Sequence, residues 1–306
     1  MAPLLVREGC IQVLAHTPNS VIYAVDTDAE PGHARDTSTV RKGWAVWYKG
    51  SEPLGPVRPA EEADAMVRRE AAIYDALGKH DRILECVSLE VAVLEGAGPE
   101  PKAWALRLER APGGSLRQYL YDNPSPPPAE WIRLSLATQF AQGLSHVHSR
   151  NVVWSDVSAR NALLFGGWRL KLCDFGTSSL FENYDHDWWG AESRYTPPGP
   201  QANAQVRRDV RVDTIHREIF VLSSAIYEIV EWKVPYRSEK DVSLDEVHRR
   251  LIAGQWPELD ENNPAKEIIN RCWAYEYDSA HEVVHDLQSL PGVKPMNVRI
   301  GNIESY

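Results

Sequence analysis

The sequence predicts an α+β protein whose strands lie mainly in the first third of the chain and whose helices dominate the remainder. Runs of β-branched and aromatic residues indicate the strands, and apolar residues spaced three and four apart indicate the helices. In chain order these segments are strands 11–25 and 44–49, helix 61–77, strands 83–108, and helices 129–148 and 213–230. The length of 306 residues is sufficient for two lobes, each with its own apolar core.

A polar loop followed by a β-hairpin is the most informative stretch of the chain. Asp156 and Asn161 lie in the loop, and two short apolar strands follow, joined by a Gly166-Gly167 turn with Trp168 opening the second strand. The hairpin would return the chain so that Asp174, just beyond it, lies beside the loop. A carboxylate and an amide oxygen brought together in this way can hold Mg²⁺ on a phosphate chain. The remaining acid can then accept a proton from an attacking hydroxyl.

This stretch resembles the protein kinase family, whose catalytic loop reads H-R-D-x-x-x-x-N and whose metal-binding motif reads D-F-G. Here the loop reads W-S-D-V-S-A-R-N and ends at Asn161, and Asp174-Phe175-Gly176 is the second motif. The S-A-R-N ending is more similar to tyrosine kinases than to common serine/threonine kinases. The resemblance implies that Asp156 orients the substrate hydroxyl and accepts its proton, while Arg160 neutralises charge near the transferred group. It also implies that Asn161 and Asp174 bind Mg²⁺.

A second stretch, L-R-L-E-R-A-P-G-G-S-L from Leu106, resembles the segment that joins the two lobes of a kinase. By this resemblance Leu108 is the gatekeeper residue, and backbone groups of Glu109 and Ala111 bind the adenine edge of ATP. The doubled glycine lets the chain leave a strand and enter a helix.

Three assignments are open for the lysine that would bind the ATP phosphates, because the family's A-x-K signature fits this chain poorly. We favour Lys49, at the end of predicted strand 44–49, paired with Glu70 on predicted helix 61–77. A second assignment places Ala45-Val46 in the first two positions, so that Trp47 stands where the lysine belongs. In the third, Lys42 is the phosphate lysine.

The order of the motifs matches the family from about residue 11 to residue 290, which implies a bilobal kinase-like fold. Residues 1–112 would form the small lobe, an antiparallel sheet with one helix. Residues 113–306 would form the large, mostly helical lobe. The family places the ATP site between the lobes.

Two departures from the family leave two functions open. Ala15, Thr17 and Ser20 occupy the three glycine positions of the phosphate-binding loop, and Trp154-Ser155 replaces His-Arg in the catalytic loop. We predict a Mg·ATP-dependent protein kinase that phosphorylates serine or threonine in preference to tyrosine, because the catalytic acid and both metal ligands are retained. The alternative is a pseudokinase, a regulatory module that binds nucleotide or protein. A small-molecule phosphotransferase would share the Asp-to-Asn spacing but not the other features.

The resemblance to protein kinases implies ATP and a protein substrate as partners, and the sequence does not predict an oligomeric state. The net charge of −10 argues against nucleic acid or an anionic membrane as the main partner. No window is apolar enough to span a bilayer, and the four cysteines have no metal-ligand or disulfide spacing, so we expect a cytoplasmic or nuclear protein. The H-E-x-x-H stretch from His281 to His285 matches a zinc-protease motif, but Pro291-Gly292 and Pro295 interrupt the chain before a third ligand. We interpret it as a solvated helix face.

The loss of the catalytic-loop arginine predicts an activity that does not depend on phosphorylation. Kinases switched by activation-loop phosphorylation use that arginine to bind the phosphate, and Ser155 stands in its place. We expect phosphatase treatment of the purified protein to leave its kinase activity nearly unchanged. A loss of about tenfold or more after treatment would contradict this prediction.

Overall fold

The computed structural model describes residues 11–16, 20–25, 38–43, 59–93, 98–184, 195, 210–236 and 242–293. The chain divides into two compact units. The first unit comprises Met1–His80 and Leu84–Arg110, and the second comprises Asp81–Ile83 and Ala111–Tyr306. Strands dominate the described part of the first unit and helices dominate that of the second, which confirms the predicted α+β class.

A five-stranded antiparallel sheet and one helix make up the described part of the first unit. Its elements are β1 Ile11–His16, β2 Val21–Val25, β3 Thr39–Gly43, α1 Ala60–Leu77, β4 Cys86–Ala92 and β5 Lys102–Glu109. The strand order across the sheet is β1-β2-β3-β5-β4. The predicted strand 44–49 lies outside the described residues, and the third strand of the sheet ends upstream of it, at Gly43.

The register of the sheet determines which side chains meet helix α1. Lys42 of β3 lies opposite Ile22 of β2 and Leu106 of β5, so the three side chains share one face of the sheet. Helix α1 contacts β4 and β5 and carries Glu70 on its buried stripe. The helix ends at Gly78, whose φ of 64° lies in the left-handed region that glycine adopts without a steric penalty.

The second unit is mostly helical, and two long helices in contact with each other form its centre. Its elements are α2 Leu116–Asp122, α3 Glu130–Ser149, β6 Val152–Val153, β7 Ala162–Phe165, β8 Arg169–Leu172, β9 Ser179–Leu180, α4 Val210–Glu231, α5 Leu244–Ile252, α6 Lys266–Trp273 and α7 Ala280–Gln288. Helices α3 and α4 confirm the predicted helices at 129–148 and 213–230, with small shifts at their ends. In the part of the chain that the structure describes, no helix is long and apolar enough to cross a membrane.

The hairpin after the catalytic loop is present, but its turn is one residue longer than predicted. Phe165 of β7 pairs with Arg169 of β8, so Gly166-Gly167-Trp168 form the connection. The prediction that Trp168 opens the second strand was wrong. Its backbone is in the left-handed region, with a φ of 58°, and its ring packs edge-on against Tyr119 with the ring centroids 5.5 Å apart. Packing of this ring against helix α2 therefore sets the length of the turn.

A buried ion pair connects helix α2 to helix α4. The guanidinium of Arg117 donates from Nε and from Nη2 to the two carboxylate oxygens of Glu228, at 2.6 Å each. The hydroxyl of Tyr195 donates to Glu228 and accepts from Arg117. All three side chains are almost completely buried. A buried charge pair whose remaining polar atoms are hydrogen-bonded costs little, whereas either charge left alone costs much more.

We predict that removing one member of this network is more destabilising than removing all of it. Arg117→Met leaves a buried, uncompensated carboxylate at Glu228 and should lower the free energy of unfolding by about 3–5 kcal/mol. The triple variant Arg117→Met, Tyr195→Phe and Glu228→Leu removes both charges and the hydroxyl of the network together and should recover most of that loss. Urea unfolding of the variants measures both effects.

The exposed ion pair between Lys102 and Glu61 is the matched control, because Glu61 is largely exposed. Lys102→Met should therefore change the stability much less than Arg117→Met. A triple variant that is less stable than Arg117→Met would contradict the proposed network.

Candidate active site

In the first unit, a buried ion pair joins the sheet to helix α1. Lys42 Nζ lies 2.8 Å from Glu70 Oε1, and both side chains are more than nine-tenths buried. The favoured partner, Lys49, lies outside the described residues, and the lysine that the structure places beside Glu70 is Lys42, the third sequence assignment. Val40 and Arg41 therefore occupy the positions before the lysine. Lys49 was favoured in the sequence analysis because it shares a strand face with position 47 and its long side chain could reach the phosphates.

The end of β5 carries the predicted adenine-binding residues of this unit. Leu108 is buried and lies opposite Val40 on one side and Cys86 on the other. The backbone N–H of Glu109 donates to the carbonyl of Glu85 at 3.0 Å, so the backbone atom of Glu109 suited to an added ligand is its carbonyl oxygen. Burial, together with the nearby carboxylate of Glu70, raises the pKa of the Cys86 thiol to about 11, so this side chain is neutral at physiological pH.

In the second unit, the catalytic loop brings Asp156 and Asn161 into direct contact. Asn161 Nδ2 donates to the backbone carbonyl and to Oδ2 of Asp156, at 2.9 Å each. Arg160 Nη2 lies 3.4 Å from Asp156 Oδ1. The turn that holds these positions is a short 3₁₀ helix, and the hydroxyl of Ser158 caps it by accepting from Arg160 N. Local hydrogen bonds therefore help to fix the spacing of the carboxylate, the amide and the guanidinium.

The hairpin returns the chain to Asn161 at the residue before Asp174. Ala162 pairs with Leu172 at the open end of the hairpin, and Cys173 N donates to the carbonyl of Asn161 at 2.9 Å. Because the amide nitrogen of Asn161 is used on Asp156, its Oδ1 is the atom suited to a cation. One carboxylate and one amide oxygen fit Mg²⁺, which normally keeps several waters or phosphate oxygens in its coordination shell. Residues Asn161 and Asp174 therefore fit a magnesium ion.

The carboxylate of Glu218, in the middle of helix α4, is hydrogen-bonded to the backbone of the catalytic loop. Its Oε1 accepts from the backbone N–H of Ser155 at 2.6 Å, and its Oε2 lies 2.7 Å from Nε2 of His148 on helix α3. Glu218 is fully buried, and Ser155 is in the left-handed region with a φ of 68°. Glu218 therefore holds the backbone of the catalytic loop at the residue before Asp156.

Sequence reasoning missed a contact made by Trp154. Its indole Nε1 donates to the backbone carbonyl of Asp174 at 3.2 Å. The tryptophan was counted as a departure from the family because only the residue type was compared. The signal that could have revealed it is the ring N–H, which indole shares with imidazole.

The zinc alternative has no support among the residues that the structure describes. His281 and His285 lie on the exposed face of helix α7, and His285 is close to Asp286. Within the described part of the chain, no three His, Cys, Asp or Glu side chains converge on a possible metal site.

Known proteins similar to this chain are kinases. A family model for protein tyrosine and serine/threonine kinases matches residues 57–285. The RGS domain-containing serine/threonine-protein kinase A of Dictyostelium discoideum is 26% identical over 209 residues, which are 67% of this chain and 17% of that protein. Tyrosine-protein kinase SYK of Gallus gallus is 24% identical over 243 residues, 78% of this chain and 38% of that protein. The serine/threonine-protein kinase LMTK3 of Mus musculus is 26% identical over 223 residues, 67% of this chain and 15% of that protein. The chain thus spans less than two fifths of the length of each of these relatives.

Proposed function

Because the chain belongs to the family of protein tyrosine and serine/threonine kinases, we propose that it transfers the terminal phosphoryl group of Mg·ATP to a protein hydroxyl, on serine or threonine in preference to tyrosine. The observation that carries this proposal is the arrangement of the catalytic loop, in which Asn161 holds Asp156 and the hairpin returns the chain to Asn161 at Cys173, the residue before Asp174. A scaffold without chemistry has no need for a carboxylate, an amide and a second carboxylate in this arrangement.

Each group of the loop has a role that follows from its contacts. Asp156 accepts the proton of the substrate hydroxyl, and the hydrogen bond from Asn161 Nδ2 fixes the direction of its carboxylate. Arg160, beside Asp156, adds positive charge near the group being transferred. Asn161 Oδ1 and the Asp174 carboxylate bind Mg²⁺, which supplies positive charge to the phosphate oxygens.

In the first unit, Lys42 rather than Lys49 is the residue that we assign to the ATP phosphates. The contact with Glu70 holds its ammonium group in one position, and the buried setting of both side chains makes that position well defined. Leu108 and backbone groups of Glu109 and Ala111 are assigned to the adenine ring. The adenine assignments follow from the resemblance to the kinase segment that joins the lobes, and the pairing of Val40 with Leu108 fits them.

The proposed partners are ATP and a protein substrate, with no role for nucleic acid. The net charge of −10 disfavours nucleic acid. Cys86 and Cys272 are free thiols, which fits a reducing, intracellular setting, cytoplasmic or nuclear.

A pseudokinase that binds nucleotide or protein is the second candidate, and one specific observation favours it. Ala15 and Ser20, at two of the positions where kinases have phosphate-loop glycines, lie in or next to the paired strands β1 and β2, and Ser20 is buried. The third position, Thr17, lies outside the described residues. Side chains at these positions restrict how closely backbone N–H groups can approach a phosphate.

The two candidates differ in how the protein responds to nucleotide. For the kinase we expect a clear rise in the melting temperature with Mg·ATP and a smaller rise with ATP and a chelator, because Asn161 and Asp174 contribute affinity only through the metal. A ligand at about a hundredfold its dissociation constant stabilises by about 2.7 kcal/mol, which thermal unfolding detects. The Asp174→Asn variant should lose the part of this rise in melting temperature that depends on Mg²⁺.

Asp156→Asn is the matched control for this experiment. It removes the proton acceptor but not the proposed metal ligands, so it should keep the thermal shift and lose phosphate transfer by at least about a hundredfold. A native protein whose melting temperature does not respond to any adenine nucleotide would exclude the kinase, and a shift without phosphate transfer would support the pseudokinase.

Lys42 and Lys49 can be compared directly with the same substitution. Lys42→Met should lower phosphate transfer by about a hundredfold or more, because a positive charge on the phosphates is lost. Lys49→Met should leave phosphate transfer close to that of the native protein. A large loss in Lys49→Met with normal activity in Lys42→Met would restore the original sequence assignment.

A further inference from the structure

We propose that Trp154 is a positioning residue for the magnesium ligand Asp174 and acts through its indole N–H. This inference rests on the proposed function, since it assigns a role at the same metal site. Trp154 stands where the family has the histidine of its catalytic-loop motif, and its Nε1 donates to the backbone carbonyl of Asp174 at 3.2 Å. The substitution therefore keeps a ring N–H donor at this position instead of losing it.

The indole ring is held so that its N–H has one direction. Trp154 is fully buried between Phe140 of helix α3 and Phe175, which follows Asp174. The ring centroids lie 5.9 Å from Phe140 and 5.8 Å from Phe175, with interplanar angles of 38° and 36°. Aromatic contacts on two sides restrict rotation of the ring. The donor is consequently already oriented before any ligand binds.

The backbone of Trp154 is tied to the same segment by a second hydrogen bond. The hydroxyl of Ser178 donates to the carbonyl of Trp154 at 2.9 Å. In addition, Val153 of β6 pairs with Ser179 of β9. Residues 153–154 and residues 178–179 therefore contact each other through a side-chain hydrogen bond and through strand pairing.

The acceptor is a residue whose backbone conformation requires support. Asp174 has a φ of 60°, in the left-handed region that residues other than glycine occupy at an energetic cost. A hydrogen bond to its own carbonyl stabilises this conformation and with it the position of the metal-binding carboxylate. Loss of the indole N–H should thus weaken Mg²⁺ binding more than it weakens binding of the adenosine part of ATP.

The test compares variants of the whole chain by thermal unfolding in ATP while Mg²⁺ is titrated. Trp154→Phe keeps a buried aromatic ring and removes the donor. We expect it to raise the Mg²⁺ concentration that gives half of the thermal shift by about three- to tenfold, the size expected for one hydrogen bond. The shift produced by adenosine without metal should not change. Trp154→His restores a ring N–H and should return the half-saturating concentration to within about twofold of the native value.

Trp232 provides a matched control, because its buried indole Nε1 likewise donates to a backbone carbonyl, that of Asn123, at 2.7 Å. Trp232→Phe should lower the melting temperature without changing the Mg²⁺ dependence. If Trp154→Phe does not fold, replacement of Trp154 by benzothienylalanine, which has sulfur in place of the ring N–H, decides the question in the same titration.

Two negative outcomes are distinguishable. A native protein that binds no Mg·ATP overturns the proposed function. A native protein that binds Mg·ATP, with an unchanged Mg²⁺ dependence in Trp154→Phe or in the benzothienylalanine protein, overturns the role of Trp154 and leaves the proposed function standing.

Discussion

The buried carboxylate of Glu218 is the group on which the geometry of the catalytic loop depends. It accepts the N–H of Ser155 and contacts His148, and it is fully buried. A carboxylate in such a place is stable only when hydrogen bonds satisfy it, so the loop and the two long helices must form together. Asp156 follows directly after the braced residue, and Asn161 bonds to it. The contacts that Glu218 of helix α4 makes with helix α3 and with the loop therefore help to position Asp156 and Asn161.

The parts of the site that are close in sequence could be predicted from the sequence, because short-range rules govern them. One loop and one hairpin join Asp156, Asn161 and Asp174. The apolar strands and the glycines of the hairpin can be recognised in the sequence. The strand lysine was harder. Lys42 and Glu70 meet through the register between β3 and β5, and the residues around Lys42 have a weaker strand propensity than 44–49. Pairing of β3 with β5 and burial, which propensity does not reveal, bring Lys42 to Glu70.

Two further features depend on side-chain packing and on individual hydrogen-bonding atoms, which the sequence does not show directly. The turn after β7 includes Trp168 because its ring packs on Tyr119, a residue almost fifty positions earlier in the chain. A comparison of motifs shows only that Trp154 replaces the histidine of the family. In the structure its indole nevertheless donates a ring N–H to the carbonyl of Asp174. A motif records residue types, whereas a site needs donors and acceptors in particular places. Substitutions within a motif are therefore best judged by the hydrogen bonds that they preserve.

The network of Arg117, Tyr195 and Glu228 has a consequence for how sequences of this kind can diverge. Its members come from three distant parts of the chain, and each one is a hydrogen-bond partner of the other two in a setting without solvent. A single substitution at any of them leaves buried polar groups unsatisfied, so the route to a different set passes through less stable intermediates. These three positions should therefore evolve as one unit, exchanged together or retained together.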